Sequence, residues 1–339
     1  MVASIEDVAR RAGVSIATVS RALRGLPDVA TATRDRVLTA AAELNYVASP
    51  FAARLASGRT TTVGLVVPFV NRWFFAEVIA TVETALRHAG FDLLLYNLGD
   101  EDGRARFFEV MPMRKRVDGV LVASLVLDDA EFAALTELDR PVGLVGLARP
   151  GFLSARIDDV AAARGAVDHL IGLGHRRIGL IGGDTDDPMA FTPPLHRRDG
   201  YRDALQAAGV SPDPALELLG YFTVDGGRAA MRRLLEMPER PTAVFAESDE
   251  MAYGAMREIM LAGLRVPEDI AVVGFDDQPL SELADLTTVR QPVAEQALDV
   301  TTRLLALIGS EDDELPRDPA VVLPTELVVR GSTELRRAP

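Results

Sequence analysis

Apolar positions follow two different rules along this chain, and the change falls near residue 60. Before it they recur at helical spacing. Ser4, with Asp7 three residues on, forms a capping box and predicts a helix over Ile5–Ala12 with Ile5, Val8 and Ala9 inward. Gly13 stops that helix, since glycine readily adopts a left-handed backbone. Ser15 caps a second helix from Ile16 to about Leu23, with Val19 and Leu23 one turn apart. Pro27 breaks the chain, and a third helix is expected over about Thr31–Leu44 with Val37, Leu38, Ala41 and Leu44 inward.

From Thr61 onward, short β-branched runs alternate with amphipathic stretches. The runs are Val63–Val67, Leu93–Tyr96, Val117–Ala123, Val142–Val145, Ile178–Ile181, Ala243–Ala246 and Ile270–Gly274, with a last strand over Ala320–Val329. Helices are expected near Phe75–Ala89, Val160–Leu173, Arg198–Ala208, Gly226–Leu235, Met251–Ala262 and Ala294–Ile308. This alternation builds right-handed βαβ units and parallel sheets covered on both faces. One such sheet rarely absorbs so many residues, so two similar α/β lobes are expected with a ligand between them. The fold class is therefore a small all-α head followed by a two-lobed α/β body with parallel sheets.

Composition narrows the function. The chain has 339 residues, 48% hydrophobic and 25% charged, and no cysteine. That excludes a disulfide framework, a thiolate metal site and a cysteine nucleophile. The longest charge-free stretch, Thr60 to Asn71, is too short to span a bilayer, and the amino terminus MVASIEDVARRAG lacks an export signal; a cytoplasmic protein with no membrane partner is expected. Net charge is −14, yet residues 1–60 hold eight arginines against five acids. A small basic head on a large acidic body suggests a polyanion-binding module attached to something else.

Two helices joined by Gly13-Val14-Ser15 fit a helix-turn-helix, whose second helix enters the DNA major groove by its amino-terminal end. Ile16, Ala17, Ser20 and Arg21 then face bases or backbone. Arg21 is best suited to a bidentate contact with a guanine edge, Ile16 and Ala17 offer apolar contact to a thymine methyl, and Thr18 and Ser20 suit phosphates. The same turn also suits a plain αα-hairpin.

The segments IEDVARRAGVSIATVSRALRG (5–25) and TRDRVLTAAAELNYVASP (33–50) closely resemble the DNA-binding head of the LacI/GalR family of bacterial transcription regulators. RVDGVLVA (116–123), LIGLGHRRIGLIGG (170–183), RPTAVFAESDEMAYGAM (240–256), GLRVPEDIAVVGFDD (263–277) and LTTVRQP (286–292) resemble that family's regulatory core, which shares its fold with periplasmic sugar-binding proteins. Two departures stand in the head: Ala30 replaces the usual capping serine of helix three, so that helix begins at Thr31, and Ser49-Pro50 is shifted against the usual proline.

The resemblance implies a helix-turn-helix domain over 1–47 and a hinge over 48–60. It also implies an amino-terminal lobe over 61–158 and 291–321, and a carboxy-terminal lobe over 159–290 and 322–332. It adds Ser4, Ser15 and Arg34 to the DNA-binding set and implies that the hinge folds on DNA, with Leu55 wedged into the minor groove beside Ala52 and Ala53. Carried over residue by residue, it places an effector among Trp73, Phe74, Arg197, Phe222, Ser248, Asp276 and Gln291, with Arg198 and Asp277 as neighbouring alternatives. Gly146-Leu147 replaces polar residues found in some relatives.

The partners implied are a pseudo-palindromic operator, a sugar or sugar-like effector, and a second copy of the chain. No leucine heptad follows the last strand, so a dimer is expected. No nucleophile elbow, phosphate loop, zinc-protease pair or dinucleotide fingerprint occurs, and the four histidines lack metal-ligand spacing, so no catalytic residue, cofactor or metal is expected. The competing reading is a solute-binding protein or enzyme with a helical appendage and no operator. Together these observations point to a DNA-binding transcriptional regulator, with repression as the expected sense, controlled by a small polar metabolite.

Overall fold

A computed structural model describes residues 3–23, 28–46, 59–187, 189, 193–310 and 319–334. The chain divides into two compact units, Met1–Thr61 and Thr62–Pro339. The expected hinge residues Ala52, Ala53 and Leu55 lie outside the described residues.

In the first unit, helix α1 (Ile5–Ala12) opens on the expected capping box: Ser4 Oγ accepts from the Asp7 N–H at 3.2 Å, and Asp7 Oδ2 accepts from the Ser4 N–H at 2.9 Å. Gly13 closes the helix at φ 67°, in the left-handed region. Ser15 Oγ then accepts from the Thr18 N–H and caps α2 (Ile16–Leu23). Helix α3 (Thr31–Glu43) begins at Thr31, and Ala30 supplies no side-chain cap.

Val8, Val19, Ala22, Val29 and Val37 form the core of this unit, and Arg11 pairs with Glu43 at 2.7 Å to tie α1 to α3. One expectation fails: Leu38 is 48% exposed. The buried stripe of α3 runs Val37, Ala40, Ala41, and the residue after Val37 is turned about 100° away from it.

The second unit runs β1 (Thr62–Val67), α4 (Trp73–His88), β2 (Asp92–Asn97), α5 (Glu101–Val110), β3 (Gly119–Ala123), α6 (Asp129–Thr136), β4 (Val142–Val145), β5 (Leu153–Arg156) and α7 (Asp159–Gly172). It continues with β6 (Ile178–Gly182), α8 (Pro193–Ala207), β7 (Glu217–Leu219), α9 (Val224–Leu235), β8 (Ala243–Ala246), α10 (Asp249–Leu261), β9 (Ala271–Asp276), α11 (Pro279–Leu283), β10 (Thr287–Arg290), α12 (Val293–Gly309), β11 (Ala320–Val322) and β12 (Glu326–Val328). Two six-stranded sheets result, in the orders β11-β5-β4-β3-β1-β2 and β12-β10-β9-β8-β6-β7. Every pairing is parallel except β10 with β12, where Thr288 opposes Val328.

The central strands are apolar on both faces, as parallel strands between helices must be. Along β1, Val63, Leu65 and Val67 pack with α4 and α12, while Val66 packs with Phe107 and Met113 on the opposite face. The stretch expected as one strand, Ala320–Val329, is two: β11 joins the first sheet beside β5 and β12 joins the second beside β10. The chain therefore passes between the sheets three times, after β5, after β10 and after β11. Those passes make one hinged body of two lobes, with the carboxyl ends of both sheets turned to a common cleft.

Candidate functional site

The residues that follow the strands line the cleft. Arg72, Trp73 and Phe74 follow β1, Ser124 follows β3 and Gly146 follows β4 on the amino-terminal lobe. Phe222 follows β7, Ser248 follows β8, Asp276 ends β9, and Gln291 sits on the crossover after β10. Between these walls the cleft leaves a cavity of about 50 Å³. Crevices beyond the carboxyl ends of parallel strands are where such sheets hold ligands, because strand ends project side chains from fixed positions.

Two glycines let aromatic rings form the walls. A Cβ at Gly146 would approach Phe74 to 3.1 Å, and one at Gly183 would lie 2.1 Å from the Phe222 ring. Phe74 also meets Phe75 edge to face at 5.2 Å.

Arg197, on α8, is the cationic centre of the cleft and is buried. Its Nε donates to Asp159 Oδ1 at 2.8 Å, its Nη1 donates to the Glu247 carbonyl, and its guanidinium lies 3.6 Å over the Phe275 ring. Asp276 Oδ1 stands 4.0 Å from Arg197 Nη1. The Asp276 carboxyl accepts from Gln291 Nε2 at 2.5 Å and from Gln278 Nε2 at 3.3 Å.

Burial pushes the Asp276 carboxyl up to about 8 despite Arg197, and the neighbouring Asp249 reinforces the rise. Asp249 itself, raised by burial, accepts from the Gln278 N–H, Ser281 and Thr288 behind the cleft. Glu247 is likewise buried and pushed up to about 8, while the Gly183 N–H it accepts at 2.8 Å, with Arg197 and Arg198, pulls the other way.

The lobes touch across the cleft mouth. Glu250, at the start of α10, accepts from the backbone N–H of Trp73 at the start of α4 and is drawn to Arg72. A free helix-terminal donor of one lobe is thereby satisfied by a carboxylate of the other. Met189 buries its side chain in the core of the amino-terminal lobe, where Arg104 Nη1 donates to its carbonyl at 2.8 Å.

Gln296, on the first turns of α12, is 0% exposed, lines the cleft, and neither its Oε1 nor its Nε2 has a hydrogen-bond partner within the protein. A buried amide in that state costs about 1–3 kcal/mol.

On the head, the outer face of α2 carries Ile16, 46% exposed, with Ala17 and Arg21 also exposed and Thr18 and Ser20 half-buried. Arg21 Nη1 lies 3.6 Å from Asp28 Oδ2, an exposed pair worth at most about 1 kcal/mol. Ser4 and Ser15 serve as helix caps, and Arg34 is half-buried on α3.

Residues 4–49 match the profile of bacterial regulatory proteins of the lacI family, and residues 167–333 match a periplasmic binding protein-like domain. The HTH-type transcriptional repressor CytR of Escherichia coli is 34% identical over 336 residues, covering 98% of this chain and 96% of that protein. The chain belongs to the LacI family. It is a DNA-binding transcriptional regulator with a periplasmic-binding-protein-like body. A second relative, the transcriptional regulator CelR of Thermobifida fusca, is 38% identical and covers 97% of this chain and 98% of its own length. Among solved structures, the lac repressor dimer bound to operator and the anti-inducer ONPF superposes with a TM-score of 0.86 at 27% identity, covering 98% of this chain and 99% of that one.

In this LacI-family body, all seven residues expected at the effector site line one cleft. The neighbouring alternatives do not. Arg198 turns toward Thr185 and lines a separate cavity with Glu217, and Asp277 pairs with Arg290 and Arg330, each at 2.7 Å. Leu147, beside Gly146, is buried in the lobe core. His175 bonds Thr242 at 2.9 Å, a packing role.

Sequence reading missed Asp159, Glu250 and Gln296. Only Gln296 left a signal, a polar residue on the apolar face Val293, Ala297, Val300, Leu304 of α12. Among the described residues no cluster suits a metal ion, and no helix is long and apolar enough to cross a membrane.

Proposed function

We propose that this LacI-family regulator is a cytoplasmic repressor that binds a pseudo-palindromic operator as a dimer and is released or retained by a sugar-like effector in the cleft. The observation that carries the reading is a buried Arg197–Asp276–Gln291 cluster facing the rings of Trp73, Phe74 and Phe222. A fixed guanidinium fork, an acid beside it and aromatic walls suit a ring with hydroxyls on its rim and hydrogens on its faces. The solved complex of a CelR regulator with cellobiose has a TM-score of 0.70 at 36% identity and covers 97% of this chain, which supports the carbohydrate class.

The cleft binds and does not turn over its ligand, since its acids are held by arginine and amides instead of being aimed at an open reaction centre. On the head, Arg21 with Ile16 and Ala17 sets base preference, while Ser4, Ser15, Thr18, Ser20, Arg10 and Arg34 set position on the phosphates. Leu55 with Ala52 and Ala53 completes the contact in the minor groove. Effector binding changes the lobe angle and so the spacing of the paired hinges, and a coupling of about 1–3 kcal/mol changes operator affinity about 5–150-fold.

The test uses the single tryptophan, which lines the cleft. Full-length protein is titrated with D-glucose, cellobiose, D-ribose and uridine while Trp73 emission is followed, and the ligand that binds is added to a gel shift on the chain's own upstream region. A saturable emission change and a shifted operator midpoint for the same sugar are expected. Operator binding that ignores every ligand altering Trp73 emission removes the regulatory reading.

A further inference from the structure

We propose that Gln296 reads one edge of the effector, and that this edge carries two adjacent hydroxyls. The inference rests on the effector reading above and deepens it.

Helix α12 buries Val293, Ala297, Val300 and Leu304 in the core of the amino-terminal lobe. Gln296 breaks out of that apolar set into the cleft wall and is fully buried there, with both amide heteroatoms unpaired inside the protein. Five residues earlier Gln291 also lines the cleft, yet its Nε2 is committed to Asp276. Buried side-chain amides in folded proteins are nearly always hydrogen-bonded, so one left open on both atoms in a ligand cleft marks where the ligand supplies the partners.

An amide presents one acceptor and one double donor in a single plane, and its complement is a donor and an acceptor side by side. Neighbouring hydroxyls meet that demand in either amide orientation. Arg197 and Asp276, contributed by the carboxy-terminal lobe, demand further hydroxyls on the same ligand, and Trp73, Phe74 and Phe222 face its apolar sides. The effector is thus a pyranose-type ring with polar groups at two parts of its rim, and Gln296 discriminates among sugars that differ at the pair of hydroxyls it meets.

The experiment compares full-length wild type with Gln296→Leu, which keeps a side chain of similar bulk and removes the amide. D-glucose, cellobiose, D-ribose and uridine are titrated into both by calorimetry, followed by the monodeoxy analogues of whichever sugar binds. Loss of one fully desolvated partner is expected to weaken sugar binding about 10- to 100-fold in Gln296→Leu. One or two adjacent deoxy positions are expected to weaken binding to wild type while leaving Gln296→Leu unaffected. Without ligand, the variant is expected to melt at or above the wild-type temperature, because an unpaired amide has been removed.

A variant that binds the sugar as tightly as wild type overturns the role of Gln296 and leaves the effector reading standing. A clear drop in its ligand-free melting temperature shows that the amide is already bonded inside the protein and overturns the inference too. Uridine bound more tightly than every sugar overturns the pyranose assignment. If no sugar binds wild type, the carbohydrate effector falls, and this inference with it.

Discussion

Glu247 offers a direct test of the electrostatics behind the cleft. It is buried, its carboxyl is pushed up to about 8 from an ordinary 4.5, and it accepts the Gly183 N–H. The unfolded chain loses this proton near 4.5, while the folded chain keeps it until about 8. Between those values the native state binds more protons, so stability falls as pH rises. The slope from one such group is about 1.4 kcal/mol per pH unit. Asp276, also raised to about 8, contributes in the same direction.

Gln at 247 keeps an acceptor for Gly183 and has no proton to lose. Urea unfolding of wild type and Glu247→Gln at pH 6.0 and 7.5, followed by Trp73 emission, isolates the body, because the head contains no tryptophan. Wild type is expected to lose about 2 kcal/mol more than the variant over that interval. Parallel losses would refute the argument. A wild type that gains on the variant as pH rises would mean that Arg197 and Arg198 outweigh burial and hold Glu247 ionised.

Gly183→Ala sets a methyl against the Phe222 ring, 2.1 Å away, and is expected to displace that wall and weaken effector binding several-fold in a Trp73 titration while operator binding without ligand is unchanged. Arg21→Ala is expected to cost about 1–3 kcal/mol in gel shifts, concentrated on one base position of each half-site; equal loss on all sequences would make Arg21 a backbone contact. Asp28→Asn removes the carboxylate 3.6 Å from Arg21 and is expected to tighten operator binding by up to about 1 kcal/mol, with the gain shrinking as salt rises. Ser4→Ala deletes the capping box of α1 and is expected to destabilise the head by about 0.5–2 kcal/mol in thermal unfolding followed by circular dichroism.

Which parts of this architecture were legible in the sequence follows from the range of the forces involved. Ser4 with Asp7, Gly13 and Ser15 act within a few residues, and each occurs where its spacing placed it. Parallel strands such as Val142–Val145 are buried on both faces, so they stand out as continuous apolar runs. Helices α5 and α6 escaped because their interiors carry Gly103 and Arg104 in one and span only eight residues in the other. Arg104 is held by Glu131 and the Met189 carbonyl, partners far along the chain. The break between β11 and β12 left no mark in the apolar pattern, since both halves are apolar, and only the lobe boundary after residue 321 that the resemblance implied pointed to it.

The cleft divides along the same line. Strand-end residues such as Asp276 and Ser248 are positioned by the fold class itself, so a resemblance in pattern carried them into place. Asp159 and Glu250 draw their significance from groups on other elements, Arg197 for one and the Trp73 N–H for the other. That distinction bears on control. Gln291 lies on a crossover between the lobes and bonds Asp276 in the carboxy-terminal sheet, while Glu250 reaches from that lobe to the amino-terminal one. Residues proposed to meet the effector and residues that bridge the lobes are thus neighbours or the same. On the proposed reading, a ligand drawing Asp276 toward its own hydroxyls competes directly with Gln291 on the crossover, which couples occupancy of the cleft to geometry of the lobes.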